Sequence, residues 1–124
     1  MTDATHVLGA GLASAATTDE LLALVRSSLD LADVSPEQVL AVTTSDELAK
    51  DPRLAALGWP VIGIDPETLA TTEVPNPSAR VEQEIGVASV AEAAALVGAG
   101  PDGILVLSKQ RSAHATVSIA RQDG

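Results

Sequence analysis

The sequence predicts an α/β domain of three layers, α/β/α. A mostly parallel five-stranded sheet is covered by helices on both faces and ends in an antiparallel hairpin at one edge. Three observations carry this reading. Apolar runs alternate with helical patterns over the first half of the chain, the signature of successive β–α–β units. The first three runs, residues 6–9, 39–43 and 59–64, are apolar almost throughout, as strands buried on both faces are. The last two, residues 104–107 and 115–120, are separated only by a short polar stretch and read as a hairpin.

Each element has its own signal. The first strand, 6–9, is expected to end in a Gly9-Ala10-Gly11 turn. A helix is expected over 19–32, with Thr17 or Thr18 as N-cap, Asp19 and Glu20 in the first turn, and Leu21, Leu22, Leu24, Val25, Leu29 and Leu31 as a wide apolar face. Ser35-Pro36-Glu37-Gln38 reads as a capped turn with proline at its first position, leading into the second strand. Asp51-Pro52 opens a helix that runs through Leu57 and that Gly58 closes. Pro60 at the start of the third strand marks a sheet edge or a strand start. Asp65-Pro66-Glu67 begins a short helix to about Thr71, and Asn76-Pro77-Ser78 repeats the cap-then-proline device for a helix that Gly86 ends. An alanine-rich helix over 89–97 is expected to stop at Gly98 and Gly100-Pro101, and a loop from Ser108 to His114 joins the last two strands.

A chain of 124 residues is expected to form one domain spanning residues 1–124. Hydrophobic residues make up 46%, yet there is no Phe or Tyr and a single Trp, so the core is built from Ala, Val, Leu and Ile with thin helices close to the sheet. No apolar run approaches the ~20 residues that span a bilayer. The first six residues lack a positive segment before their apolar stretch, so no signal peptide is expected and the expected compartment is the cytoplasm. The absence of cysteine excludes disulfides and thiolate metal sites. A formal charge of −10 argues against nucleic acid and anionic membrane as partners, both of which need a basic face. Solubility is the plainer meaning of that acidity.

Right-handed crossovers would gather the loops after the strands on one rim, where open α/β sheets bind ligands. The backbone amides of a tight turn at Gly9 and Gly11 would suit an anion there. A dinucleotide fingerprint fails, because Ser14 stands where a third glycine is needed and Asp30 and Asp33 fall at a helix end. His6 and His114 have no metal-ligand spacing, so neither metal nor cofactor is expected, and no Gly-x-Ser-x-Gly elbow is present. Asp46, Glu47 and Asp51 have the chemistry of a general acid or base, although exposed helix-start carboxylates are commoner. Ser108-Lys109-Gln110-Arg111-Ser112 concentrates two of the seven cations. Strand alternation would put Lys109 and Arg111 on one side, suited to a carboxylate, and an ordinary charged hairpin tip is an equal reading.

Two stretches resemble a known family. Val74-Pro75-Asn76-Pro77-Ser78 with Ser89-Val90-Ala91-Glu92-Ala93-Ala94-Ala95-Leu96, and Lys109-Gln110-Arg111-Ser112 with Ala115-Thr116-Val117-Ser118-Ile119-Ala120-Arg121, are similar to the CobE family of cobalamin biosynthesis, the domain that also forms the C-terminal part of CbiG. The resemblance implies a role in corrin-ring synthesis. The larger CbiG protein opens the ring-A lactone of a cobalt-precorrin, and the short CobE form belongs to the aerobic route. The chain departs from the family pattern at Leu12-Ala13-Ser14-Ala15-Ala16, where Cys-Arg-Arg-Gly-Thr is usual, at Leu48 in place of Lys, and at Ala113-His114 in place of a glycine pair.

The resemblance implies a precorrin or corrinoid intermediate as ligand, held by Gly9, Gly11, Thr17, Asn76, Ser78, Lys109, Arg111 and Thr116, with the chain as carrier or accessory factor and no residue assigned to catalysis. Two alternatives stay open. One is a hydrolase of the precorrin lactone, with Asp46 or His114 assisting water. The other is a non-catalytic domain that docks on another pathway enzyme through the face carrying Trp59.

Overall fold

Strands β1 (His6–Leu12), β2 (Val39–Ser45), β3 (Val61–Ile64), β4 (Ile104–Arg111) and β5 (Ala115–Arg121) form one sheet in the order β3-β2-β1-β5-β4. The computed structural model describes residues 5–71, 87–100 and 102–122. The expected cap at Asn76-Pro77-Ser78 and its helix lie outside them. β1, β2 and β3 run parallel, and β5 is antiparallel to both β1 and β4. The mixed sheet with a hairpin at one edge is the predicted fold class. Pro60 leads into β3, an edge strand, where its missing N–H costs no ladder bond.

The helices are α1 (Thr18–Ala32), α2 (Pro52–Ala55), α3 (Pro66–Thr71) and α4 (Val87–Ala99), with a 3₁₀ turn at Pro36–Gln38. Thr17 caps α1 by accepting the Glu20 amide at 3.1 Å, and Asp51 caps α2 by accepting that of Arg53 at 2.9 Å. One core forms where α1 and α2 meet the sheet: Leu21, Leu24, Val25 and Leu29 with Leu54, against Leu8, Val42, Val117 and Ile119. Leu31 is 66% exposed. The C-cap Asp33 turns left-handed (φ 57) and returns Val34, rather than Leu31, to the core.

The other face is covered by α4, and here the structure corrects the expected glycine roles. Gly9 and Gly11 do not form a turn; β1 runs through both and ends at Leu12. Gly9 is required for packing, since a Cβ there would lie 1.9 Å from the Ala91 carbonyl oxygen and 2.7 Å from the Ala95 nitrogen. Gly98 does not stop the helix. It lies inside α4, where a Cβ would come within 2.6 Å of Thr43 Cγ2 and 2.7 Å of Val7 Cγ1, and the chain turns instead at Gly100 (φ 96). Ala91, Ala94 and Ala95 are fully buried, and Thr43 Oγ1 donates to the Ala94 carbonyl at 2.6 Å, fixing the helix to β2.

Strand β4 is also longer than expected. Lys109 and Arg111 lie on the strand itself, and only residues 112–114 link it to β5. Register shifts between Leu105 and Leu107 and between Leu107 and Gln110 break simple alternation. Alternation alone therefore does not fix the side on which Lys109 lies relative to Arg111.

Candidate ligand rim at the strand ends

The register places three candidate residues in one row across the sheet. Gly11 of β1 pairs with Thr116 of β5, and Thr116 pairs with Arg111 of β4. Because β4 runs in the same direction as β1, its last residue reaches the rim where β1, β2 and β3 also end. The first half of α4 stands near that rim: Ala91 lies over Gly9, whereas Gly98 lies further down, over Val7 and Thr43. Gly11 and Thr116 are buried, so Arg111 is the member of the row that faces solvent.

Lys109 takes a different position from Arg111. It falls in the bulged stretch between Leu107 and Gln110, and its amide donates to Glu92 Oε2 of α4 at 3.1 Å. Glu92 is fully buried, and the Lys109 ammonium nitrogen is itself shielded from water. Burial, and secondarily the neighbouring Arg111, lowers the Lys109 pKa.

The α1 side of the rim is held by two clasps. Glu20 of α1 accepts from the Ser112 hydroxyl, from the His114 amide at 2.6 Å, and meets His114 Nδ1 at 3.2 Å. The Ser112 bond, followed by the His114 amide, holds the Glu20 carboxyl below its ordinary range. The second clasp is Arg53 of α2. Its guanidinium binds Asp51 through Nε at 2.9 Å and Nη2 at 2.6 Å, and its Nη1 donates to the carbonyls of Ala13 at 3.2 Å and Ala16 at 2.6 Å. Arg53 thus fixes the segment after β1, where the sequence lacks the family's cations. Thr17, exposed at the end of that segment, spends its hydroxyl oxygen as the α1 cap.

The structure brings together Gly11, Thr116, Arg111 and Lys109 along adjacent strands, with Thr17 on the α1 side. Gly9 sits under α4 rather than at an open turn, and Asn76 and Ser78 lie outside the described residues. Asp46 and His114 are not paired: β1 lies between β2 and β5, and two strand spacings amount to roughly 10 Å. Asp65 is occupied as the cap of α3, accepting the Thr68 amide at 3.0 Å and its hydroxyl at 2.7 Å. Trp59 is half-buried, and its indole N–H donates to the Pro36 carbonyl at 3.2 Å. It precedes β3 and so belongs to the opposite end of the sheet from the rim. Glu20, Arg53 and Glu92 are the residues that sequence reasoning missed, since their partners lie 94, 37 to 40 and 17 positions away.

Comparison with known proteins agrees with this architecture. The family model described as "Cobalamin synthesis G C-terminus" matches residues 6–120. A curated relative, Protein CobE of Sinorhizobium sp, is 36% identical over 120 residues, covering 92% of this chain and 78% of its own length. The crystal structure of a CobE from the cobalamin (vitamin B12) biosynthetic pathway superposes with a TM-score of 0.76 at 27% identity, over 94% of this chain and 93% of that one. The cobalamin biosynthesis protein chiG of Agrobacterium tumefaciens gives a TM-score of 0.67 at 26% identity, over 96% and 99% of the two chains. A putative cobalamin biosynthesis protein G homolog from Sulfolobus solfataricus shares the fold at a TM-score of 0.73 and 18% identity, with this chain covering 37% of it. The chain therefore belongs to the CobE and CbiG C-terminal family and is a protein of the cobalamin biosynthesis pathway.

Proposed function

We propose that this protein binds a precorrin or corrinoid intermediate at the strand-end rim and acts as a carrier or accessory factor, passing the ligand to other pathway enzymes. The supporting observation is the row Gly11–Thr116–Arg111. It sets Arg111, an exposed residue, at the rim, two positions from Lys109. Arg111 meets a peripheral carboxylate of the macrocycle with its planar fork, and Lys109 acts as a point charge from its partly buried site. Asn76 and Ser78 enter this proposal on the family resemblance alone.

The test is Lys109→Ala combined with Arg111→Ala, titrated with cobyrinic acid, a corrin carrying free carboxylates, and with cobinamide, its amidated counterpart. Corrin absorbance is the readout, because Trp59 is remote from the rim. Losing the Arg111 fork and the Lys109 charge should weaken cobyrinic acid binding by roughly tenfold to a hundredfold or more, with little change for cobinamide. Equal affinities in the wild type and the variant rule out this strand end as the carboxylate grip.

One observation favours a second reading, hydrolysis of a precorrin lactone. Glu20 meets His114 at Nδ1, and the His114 side chain is 44% exposed, an arrangement that fixes an imidazole at the rim. Turnover of a precorrin lactone that His114→Ala abolishes would support it.

A further inference from the structure

Glu92 is the one charged residue among the fully buried ones in the described part of the chain. It sits in the second turn of α4, flanked by the buried Ala91, Ala93, Ala94 and Ala95. A carboxylate in such apolar surroundings is costly unless its oxygens take hydrogen bonds. Its Oε2 accepts the Lys109 amide at 3.1 Å. The register of β4 and β5 slips between Leu107 and Gln110, so two residues of β4, Ser108 and Lys109, are set against one of β5, Ser118, and the ladder is locally broken. Glu92 receives a backbone N–H from that bulge and ties the edge strand to α4 at the height of the rim.

The consequence falls on the side chain. A bulge re-aims the residue that it contains. Lys109, on a regular edge strand, would alternate with Ser108 and Gln110; on the bulge it is drawn inward until its ammonium nitrogen is shielded from solvent. Arg111, beyond the bulge and back in register with Thr116, stays exposed. The two cations therefore differ in exposure, the Lys109 ammonium shielded and Arg111 exposed.

We propose that Glu92 is the positioning residue for Lys109: through the amide bond at the β4 bulge it sets the inward placement from which the Lys109 charge acts on a carboxylate of the ligand at the rim. This rests on the rim-binding reading above.

Reach and charge can be separated without opening a large cavity. Glu92→Asp keeps the charge and draws the carboxylate back by about 1.5 Å, one C–C bond. Glu92→Gln keeps the reach and an acceptor oxygen while removing the charge. The expected result is that Glu92→Asp weakens cobyrinic acid binding at least tenfold, to the level of Lys109→Ala, while Glu92→Gln stays within about threefold of wild type. The double variant Glu92→Asp with Lys109→Ala should bind no more weakly than Lys109→Ala alone, because both changes act through the same Lys109 charge. Independent losses that multiply in the double variant, or wild-type affinity in Glu92→Asp, overturn the proposal.

Amide hydrogen exchange at Lys109, followed by NMR without ligand, gives a second readout. It should accelerate at least tenfold in Glu92→Asp and much less in Glu92→Gln, and unchanged protection in Glu92→Asp overturns the proposal whatever the ligand does. If the wild type itself fails to bind cobyrinic acid, or Lys109→Ala binds like wild type, the rim reading fails and takes the ligand role of Glu92 with it. The exchange data then still report whether Glu92 holds the bulge.

Discussion

Substituting Gly9 by Ala should be among the most damaging single-methyl changes in the domain. The new Cβ would lie 1.9 Å from the Ala91 carbonyl oxygen, 2.7 Å from the Ala95 nitrogen and 2.8 Å from the Ala95 Cβ. Two of these atoms are helix backbone, so no rotamer change relieves the overlap. To bring even the nearest contact to 3.0 Å, α4 and β1 must separate by about 1.1 Å. That separation would also pull on the 2.6 Å bond between Thr43 Oγ1 and the Ala94 carbonyl. Overpacking a core costs about 1–3 kcal/mol, and a backbone-to-backbone overlap belongs at or above the top of that range. Loss of the buried Thr43 bond adds about 1 kcal/mol. A total near 4 kcal/mol is a large share of the 5–15 kcal/mol that typically holds a domain together. With an unfolding entropy of roughly 260 cal/mol/K for a domain of this size, the midpoint should fall by about 15 °C. Urea and thermal unfolding followed by far-UV circular dichroism measure both quantities. Gly98→Ala is the comparison. Its Cβ meets side-chain methyl groups of Thr43 and Val7 rather than helix backbone, and it gains about 1 kcal/mol of helix propensity. A Gly9→Ala stability within about 1 kcal/mol of wild type, or an equal cost for Gly98→Ala, would show that α4 does not press on β1 at Gly9.

Two further outcomes are expected. The Glu20 pKa lies below its ordinary 4.5 in the folded protein, so its clasp on Ser112 and His114 stabilises above that pH and is lost as pH falls through the folded value. The Tm difference between wild type and Glu20→Gln should therefore be present at neutral pH and shrink below about pH 4; a constant difference across that range would contradict the assignment. Arg53→Lys should cost about 1–2 kcal/mol in urea unfolding, because lysine cannot reproduce the fork on Asp51 together with the bonds to Ala13 and Ala16. Amide exchange at Ala16 should rise in parallel, and unchanged stability with unchanged exchange would remove Arg53 from that role.

Strand positions, helix starts and the sheet class were legible because they rest on local signals. The Thr17 and Asp51 caps, the capped turn at Pro36 and the edge placement of β3 follow from side-chain chemistry acting within three or four residues. Glycine was misread because the same residue serves a turn and a close approach. Nothing beside Gly9 announces a helix 82 or more positions later pressing on its Cα. The β4 bulge was equally hidden. It depends on the Glu92 carboxylate lying across from the strand, whereas residues 104–111 alone read as an apolar strand followed by a polar loop. Of the candidate site, the pairing of Arg111 with Thr116 was within reach of a hairpin argument. The clasps of Glu20 and Arg53 were not, because Glu20 in a first turn and Arg53 after a cap both have sufficient local explanations.

The acidity of the chain sets a final question, how a protein of net charge −10 would hold a polycarboxylate. Net charge is the wrong quantity at the distances involved. Screening at physiological salt leaves interactions between exposed charges effective over about 8 Å. Asp65 ends β3, four strand spacings or roughly 19 Å from β4, and Asp46 ends β2, three spacings or roughly 14 Å away. Both lie outside that reach of Arg111. Glu20 and Asp51 are nearer the segment after β1, but their oxygens already take bonds from Ser112, His114 and Arg53. Arg53 in turn commits four of its five side-chain N–H groups to Asp51, Ala13 and Ala16, so it shapes the α1 half of the rim more than it attracts ligand to it. The proposed grip on an anion is therefore assigned to the two cations of β4, Lys109 and Arg111. A carboxylate ligand should then dock against the β4 edge beside α4, and the missing cations of the Leu12-Ala13-Ser14-Ala15-Ala16 segment should shift where the macrocycle sits without abolishing its grip.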